Sequence, residues 1–373
     1  MNRRQALKTV LAAGASLLRS DRVLAQDANP TPPPAGNTIY LHPAKGADTN
    51  SGAKDSPLKT LAAAAKRVNE SPGTPATTII LSEGVYAVGE SAMFKPANRS
   101  FTKDDRLTIR AEMLPDDPEW HPGRMPTLIH TMPLSPDWMG RPDPFGGVSY
   151  GMQFETSHVT VQGLKILGTP HLEQPKANAI RRVYPIAREG RELDDLEIKQ
   201  CLFVGNREVA ENHCCILARG HGVVVDHCVF YGCKITVVYW TGEARGCALR
   251  HTLAVGNYVT GAWICGIGAD FDFSNNIMSA NRSAVLFQGS VRKYDLADSL
   301  FAGNQSLYGS GGGPPVNFKP LASTVLELPP SSKVLDRPVE IERDQSMRNY
   351  LHPVEGSDAD RIGAGLFAQS HQP

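Results

Sequence analysis

The sequence predicts an all-β chain wound as a parallel solenoid, with three short strands to each coil. Two observations predict it. The first is a repeat. Six stretches superimpose: HVTVQGLKILGT from His158, DLEIKQCLFVGN from Asp195, GVVVDHCVFYGC from Gly222, GCALRHTLAVGN from Gly246, DFDFSNNIMSAN from Asp270 and KYDLADSLFAGN from Lys293. The turn positions closing the last five are Asn206, Cys233, Asn257, Asn281 and Asn304, spaced 27, 24, 24 and 23 residues apart. A unit of this length cannot bury its own apolar face and must stack on its copies. The second observation is the period inside each unit. Leu196 and Ile198, Val223 and Val225, Cys247 and Leu249, Phe271 and Phe273, Tyr294 and Leu296 alternate with other residues, as in a strand with one face turned inward.

The second strand of each coil follows a change of phase. Phe203, Phe230, Ala254, Met278 and Phe301 continue the inward set one residue out of step with the first strand. A bend between two short strands accounts for the slip. Its column, Cys201, Cys228, Thr252, Asn276 and Ser299, is small and able to hydrogen-bond. A third apolar run follows each turn: CCILA from Cys214, TVVYW from Thr236, GAWIC from Gly261 and AVLFQ from Ala284. Equal spacing aligns these through Cys215, Tyr239, Trp263 and Leu286. A β-propeller blade needs about 40–45 residues, so these coils are too short for one. The leucine-asparagine pattern of a leucine-rich repeat is absent.

Composition narrows the function. The 373 residues hold 38 Lys plus Arg and 38 Asp plus Glu, so no basic excess points to nucleic acid. No window approaches 18 uninterrupted apolar residues, which argues against a transmembrane span. Arg3 and Arg4 followed by Leu7 and Lys8, an apolar core from Thr9 to Leu18, and Val23-Leu24-Ala25 resemble a twin-arginine export signal over residues 1–25. The expected location is therefore the periplasm or the exterior. Residues 26–38, with Pro30-Thr31-Pro32-Pro33-Pro34, read as a stiff tether. The seven cysteines fall between Cys201 and Cys265 without a C-x-x-C pair, so zinc is not expected there. Cys201 and Cys228 share one inward column and are close enough in pattern to bridge, although buried cysteine also serves as a small apolar residue.

The segment before the repeats carries a family resemblance. Tyr40, Gly46-x-Asp48-x-x-x-Gly52, Pro57-Leu58-x-Thr60-Leu61 and Ala64 are similar to the opening of secreted right-handed parallel β-helix proteins of the pectate-lyase-like superfamily. Thr77-Thr78-Ile79-Ile80-Leu81-x-x-Gly84-Val85-Tyr86 is similar to the first coil of that group. The resemblance implies a right-handed helix over 39–318, with a capping helix within Leu58 to Val68 that begins near Pro57. Asp48 and Asn50 read as turn formers. It also implies a tail, 319–373, whose Arg361–Phe367 resembles a closing strand and caps the far end. The superfamily contains lyases, hydrolases and proteins without known chemistry, so fold alone does not decide activity.

In that superfamily glycan lies across one stacked sheet and its loops, here expected to be the third run. The loops leaving it carry Arg219, His221, Glu243, Arg245, Asp270 and Arg292, and those entering it carry Glu208, Glu211, Asn212, His213 and Lys234. Tyr239, Trp240 and Trp263 add aromatic surface. The long step from Thr169 to Asn206 suggests a basic binding loop over 176–191 with Lys176, Arg181, Arg182, Arg188 and Arg191. The expected partner is a polysaccharide, and the expected state is monomeric.

Two mechanisms fit. A lyase acting on a uronic acid glycan needs a base and a cation, met by Lys234, Arg219, His221, Arg245 and Tyr239, with calcium held by Glu208, Glu211 and Asn212. A hydrolase needs paired carboxylates, met by Glu243 and Asp270. A carbohydrate-binding envelope scaffold is the non-enzyme alternative. A further column, His227, His251, Asn275 and Asp298, with Asp226 and Arg250 before it, reads as a polar ladder without an evident third metal ligand.

Overall fold

The computed structural model describes residues 38–368 apart from 74–75, 136, 139–140, 143–146, 171–181, 241, 290 and 313–316. The expected export signal and the expected tether up to residue 37 lie outside these residues, as do Lys176 and Arg181. The chain is a right-handed parallel β-helix whose three main sheets have nine strands each among the described residues. The first sheet runs from Thr38–Leu41 to Leu296–Ala297, and the second from Gly84–Val88 to Lys333–Leu335. The third runs from Ala92–Phe94 to Tyr308–Ser310 and ends on the antiparallel strand Lys319–Leu321. No helix among the described residues is long and apolar enough to cross a membrane.

The repeat columns become ladders. Ile198, Val225, Leu249, Phe273 and Leu296 pair in sequence across the first sheet. Phe203, Phe230, Ala254, Met278 and Phe301 do so across the second. Both sets are buried in one interior core, where Phe203 stacks on Phe230 at 4.7 Å. The turn column is a hydrogen-bonded ladder. Asn257 N–H donates to Asn281 Oδ1 at 3.0 Å, and Asn281 N–H to Asn304 Oδ1 at 3.0 Å. All seven cysteines are free and buried, and Cys201 and Cys228 stay unbridged. Their Sγ atoms reach backbone carbonyls at 3.4 and 3.5 Å.

Four expectations are corrected. The third-sheet alignment slips: Leu217, Val238, Trp263 and Leu286 are the true partners, and Tyr239 pairs with Ala218, not Cys215. A one-residue slip reverses which face a side chain occupies, so Tyr239 points into the core. The capping helix is Leu61–Glu70. Its N-cap is Thr60, which accepts from Ala63 N at 3.1 Å, while Leu58 bridges to Leu41. Asp48 fixes that start by accepting from Lys59 N and Thr60 N.

The tail differs as well. Arg361–Phe367 forms a short 3-10 turn, Asp360–Ile362, and an irregular run rather than a strand. Ile341, Tyr350, Leu351, Ala364 and Leu366 pack on the outward residues Leu202, Val229, Leu253, Ile277 and Leu300 of the second sheet, so this part covers a flank. Finally, Arg182–Arg188 is a buried third-sheet strand rather than a loop, paired with Val148–Phe154 and Cys214–Ala218. Its central Val183-Tyr184-Pro185-Ile186-Ala187 is apolar enough to explain why.

Candidate functional site

From the strand Cys214–Ala218 onward the third sheet is largely apolar on both faces. Ile216, Val237, Ala262 and Val285 face the interior. The following residues, Leu217, Val238, Trp263 and Leu286, face outward yet are buried in a band with Tyr184, Cys214 and Ile235. Polar chemistry therefore collects at the edges of this band.

At the upstream edge, Lys234 precedes the strand Ile235–Tyr239. Its Nζ lies 3.7 Å from Glu211 Oε1, and the Tyr258 hydroxyl donates to the same oxygen. Tyr258 and Arg282 repeat the position of Lys234 one and two coils on: Tyr258 N–H donates to Cys233 O and Arg282 N–H to Asn257 O. The Arg207 guanidinium sits 5.3 Å from the Tyr258 ring, and that of Arg282 sits 4.3 Å from Phe318. His213 packs edge-on against Tyr184, which stacks on Tyr150. Burial pushes the Lys234 ammonium below the usual lysine range, with Glu211 opposing. Burial, reinforced by the charges of Lys234 and Arg182, holds His213 well below the usual imidazole range.

At the downstream edge, the Arg219 guanidinium lies 3.9 Å from the Trp240 ring centre and its Nε 3.7 Å from Glu189 Oε2. Tyr150 donates to Glu189 Oε1 at 3.4 Å. Burial pushes the Glu189 carboxyl up, and Arg219 restrains the rise. Beyond this edge, the loops leaving the sheet line an open cleft of about 750 Å³ that includes Arg191, Asp194, His221, Glu243 and Arg245.

The structure thus divides the expected residues. Lys234 and Arg219 stand at opposite edges of one face. His221, Glu243 and Arg245 gather in the outer cleft, where His221 Nδ1 accepts from Arg245 N at 3.1 Å. Asp270 holds Gly246 N–H at 2.8 Å, a turn-fixing role. Glu243 is 84% exposed at its side chain and faces Arg292 at 3.7 Å. Trp240 and Trp263 belong to the outward band, Trp240 partly exposed and Trp263 buried. Arg182 is buried beside His213 and Tyr184.

Two expected site residues are elsewhere. Tyr239 is in the interior, its hydroxyl donating to Ala248 O at 2.5 Å. Arg188 is fully buried and donates to the carbonyls of Arg219 and His221 at 2.7 and 2.6 Å, so it braces a loop. The expected calcium trio fits calcium poorly. Asn212 is buried, and Glu211 is taken by an ammonium and a hydroxyl donor, whereas calcium needs six to eight oxygens free to turn toward it.

Sequence reasoning missed Glu189, Tyr258, Tyr150 and Tyr184. One signal was present: Tyr258 follows Asn257 as Lys234 follows Cys233 and Arg282 follows Asn281. The position after the turn column is an outward column of its own.

No family model matches the chain, and no curated protein matches it. Solved structures do resemble it at low identity. A rhamnogalacturonan lyase is 12% identical with a TM-score of 0.45, covering 89% of this chain and 100% of that one. XylC in complex with xylose is 11% identical with a TM-score of 0.40, covering 74% and 67%. A pectin methylesterase from Aspergillus niger is 12% identical with a TM-score of 0.34, covering 91% and 96%.

Proposed function

We propose that this protein is a polysaccharide lyase that acts outside the cytoplasm, as a monomer, on a glycan containing uronic acid. One observation carries this reading: the upstream edge of the third sheet brings four cationic side chains to neighbouring coils, with Lys234 against Glu211, Arg207 on the Tyr258 ring, Arg182 beside His213 and Arg282 on Phe318. A cationic edge suits a uronate carboxylate and stabilises the enolate-like charge that builds when the adjacent carbon loses its proton. Lys234 is the base. Its lowered pKa increases the fraction of free amine near neutral pH. The C–H electron pair forms the new double bond, the glycosidic C–O bond breaks, and the leaving oxygen takes a proton from Tyr258 or water. Arg207 and Arg282 hold the carboxylates, and no step passes through calcium.

The test is a panel of uronic acid glycans followed by the ultraviolet absorbance of unsaturated uronates. Lys234→Ala should lower turnover at least about a hundredfold, the scale of a general base, with an unchanged denaturation midpoint. Full activity in that variant overturns the assignment of the base.

A second reading has its own observation. Glu189, a mostly buried carboxyl with a raised pKa that accepts from Tyr150 and faces the Arg219 stacked on Trp240, has the character of a general acid in a glycoside hydrolase. In that case reducing ends appear without ultraviolet absorbance, and Glu189→Gln is the damaging change. If no glycan is cleaved, the binding scaffold becomes the better account.

A further inference from the structure

Three metal-ligating side chains meet away from this face, at the corner between the first and second sheets. Asp226 ends the strand Val223–Asp226, His227 follows it, and His251 holds the same corner one coil later. His227 and His251 occupy left-handed bend positions, with φ of 49° and 46°. That backbone turns both rings outward into a stack with centroids 4.3 Å apart and planes 19° apart. Nδ1 of His227 lies 2.9 Å, and Nδ1 of His251 3.0 Å, from the same Oδ1 of Asp226. The ligand atoms of all three lie within 4.8 Å of one another.

We propose that Asp226, His227 and His251 bind one zinc-like divalent cation, stapling two successive coils. Two imidazole nitrogens and a carboxylate oxygen are a donor set that such ions favour over calcium or magnesium. Bonds of about 2.0–2.2 Å at tetrahedral angles separate ligand atoms by about 3.3–3.6 Å. The observed 2.9 and 3.0 Å separations therefore need to open by only a few tenths of an ångström. Three protein ligands leave a fourth position for water.

Arg250 is the opposing charge, 3.2 Å from Asp226 Oδ2, but Asp272 shares it at 3.7 Å. It grips the oxygen that the histidines do not face, so it orients the carboxylate as outer partners of metal ligands do. The three side chains are 20%, 13% and 32% exposed, which leaves the corner open to an ion. The site shares no residue with the proposed catalytic edge, so the two readings stand or fall separately.

The experiment strips the mature protein with a chelator, then titrates cobalt(II) and zinc(II) by calorimetry and visible absorption. One ion per chain is expected, with tetrahedral cobalt bands that zinc displaces. His251→Asn and Asp226→Asn should each weaken binding by more than the roughly 10–100-fold lost with an outer partner. His158→Asn removes a single-histidine contact to Asp195, at 2.8 Å, and should leave affinity unchanged. Equal affinity in His251→Asn and the parent, or no binding by a folded parent, overturns the proposal. The denaturation midpoints in chelator show which variants are folded, and either ligand variant alone suffices.

Discussion

Asn281 offers a direct measure of what holds the coils in register. Its Oδ1 accepts from Asn257 N at 3.0 Å and from Asn257 Nδ2 at 2.8 Å. Its Nδ2 donates to Ala254 O at 3.0 Å and to Asn304 Oδ1 at 3.1 Å. Asn257 and Asn281 are both fully buried. Asn281→Ala leaves the Asn257 N–H and the Ala254 carbonyl buried without these partners, whereas Asn257 Nδ2 retains Phe230 O at 3.4 Å. Each orphaned group costs about 1–3 kcal/mol. Two of them, with a small cavity, predict a loss of about 3–5 kcal/mol. The assay is urea unfolding followed by tryptophan fluorescence and far-ultraviolet circular dichroism. The two probes must coincide, because a solenoid can unfold in segments. Gln305→Ala, an exposed change one residue past the ladder, should stay within about 0.5 kcal/mol. If Asn281→Ala stays within the same margin, the ladder is not the energetic feature argued here.

Other perturbations test separate parts. Burial pushes both His130 and His352 down to about 4, below the ordinary 6.5, so the unfolded chain binds more protons between these values. Their contribution, up to about 3 kcal/mol each, is complete above pH 6.5 and falls as pH drops toward 4; a urea midpoint that does not move across that window refutes it. Phe273→Asp should abolish folding, because it puts an unpaired charge among Leu249, Leu296 and Phe301, and a parent-like melt would show that the inward columns are misassigned. Changing Arg3 and Arg4 to Lys should leave precursor in the cytoplasm, as fractionation would show, and continued export would remove the twin-arginine assignment.

The legible part of the fold is the part where each coil repeats the same chemistry. Leu249 and Phe273, or Asn257 and Asn281, serve the same function one coil apart, so equal spacing finds them. The third sheet breaks that condition. Its paired positions Cys214 and Ile235 stand 21 residues apart, Val238 and Trp263 25, and Trp263 and Leu286 23, because the loops before it differ in length. A strand with one polar face would have shown the slip. CCILA and ITVVY are buried at every position, with Thr236 and Tyr239 the hydroxyl side chains among them, so no alternation of polar and apolar residues marks which one faces inward. Equal spacing alone therefore aligns Tyr239 with the outward Trp263, whereas the pairing sets Val238 there.

The same property explains how the candidate site was only partly visible. A face whose central strands are largely apolar offers little to a glycan's hydroxyls or carboxylates, so its chemistry comes mainly from the residues that flank each strand. Lys234, Tyr258 and Arg282 come from the position after the turn ladder, and that ladder fixes their backbone through Asn257 and Asn281. Glu189 and Arg219 come from the opposite end, where Arg188 ties the next coil's loop. The turn ladder therefore does more than stabilise the fold. It sets the spacing of the cationic edge coil by coil. A variant such as Asn257→Ala, which touches no substrate in this arrangement, should raise KM for a long glycan spanning several coils more than for one spanning a single coil. Equal effects on both lengths would separate the ladder from the site.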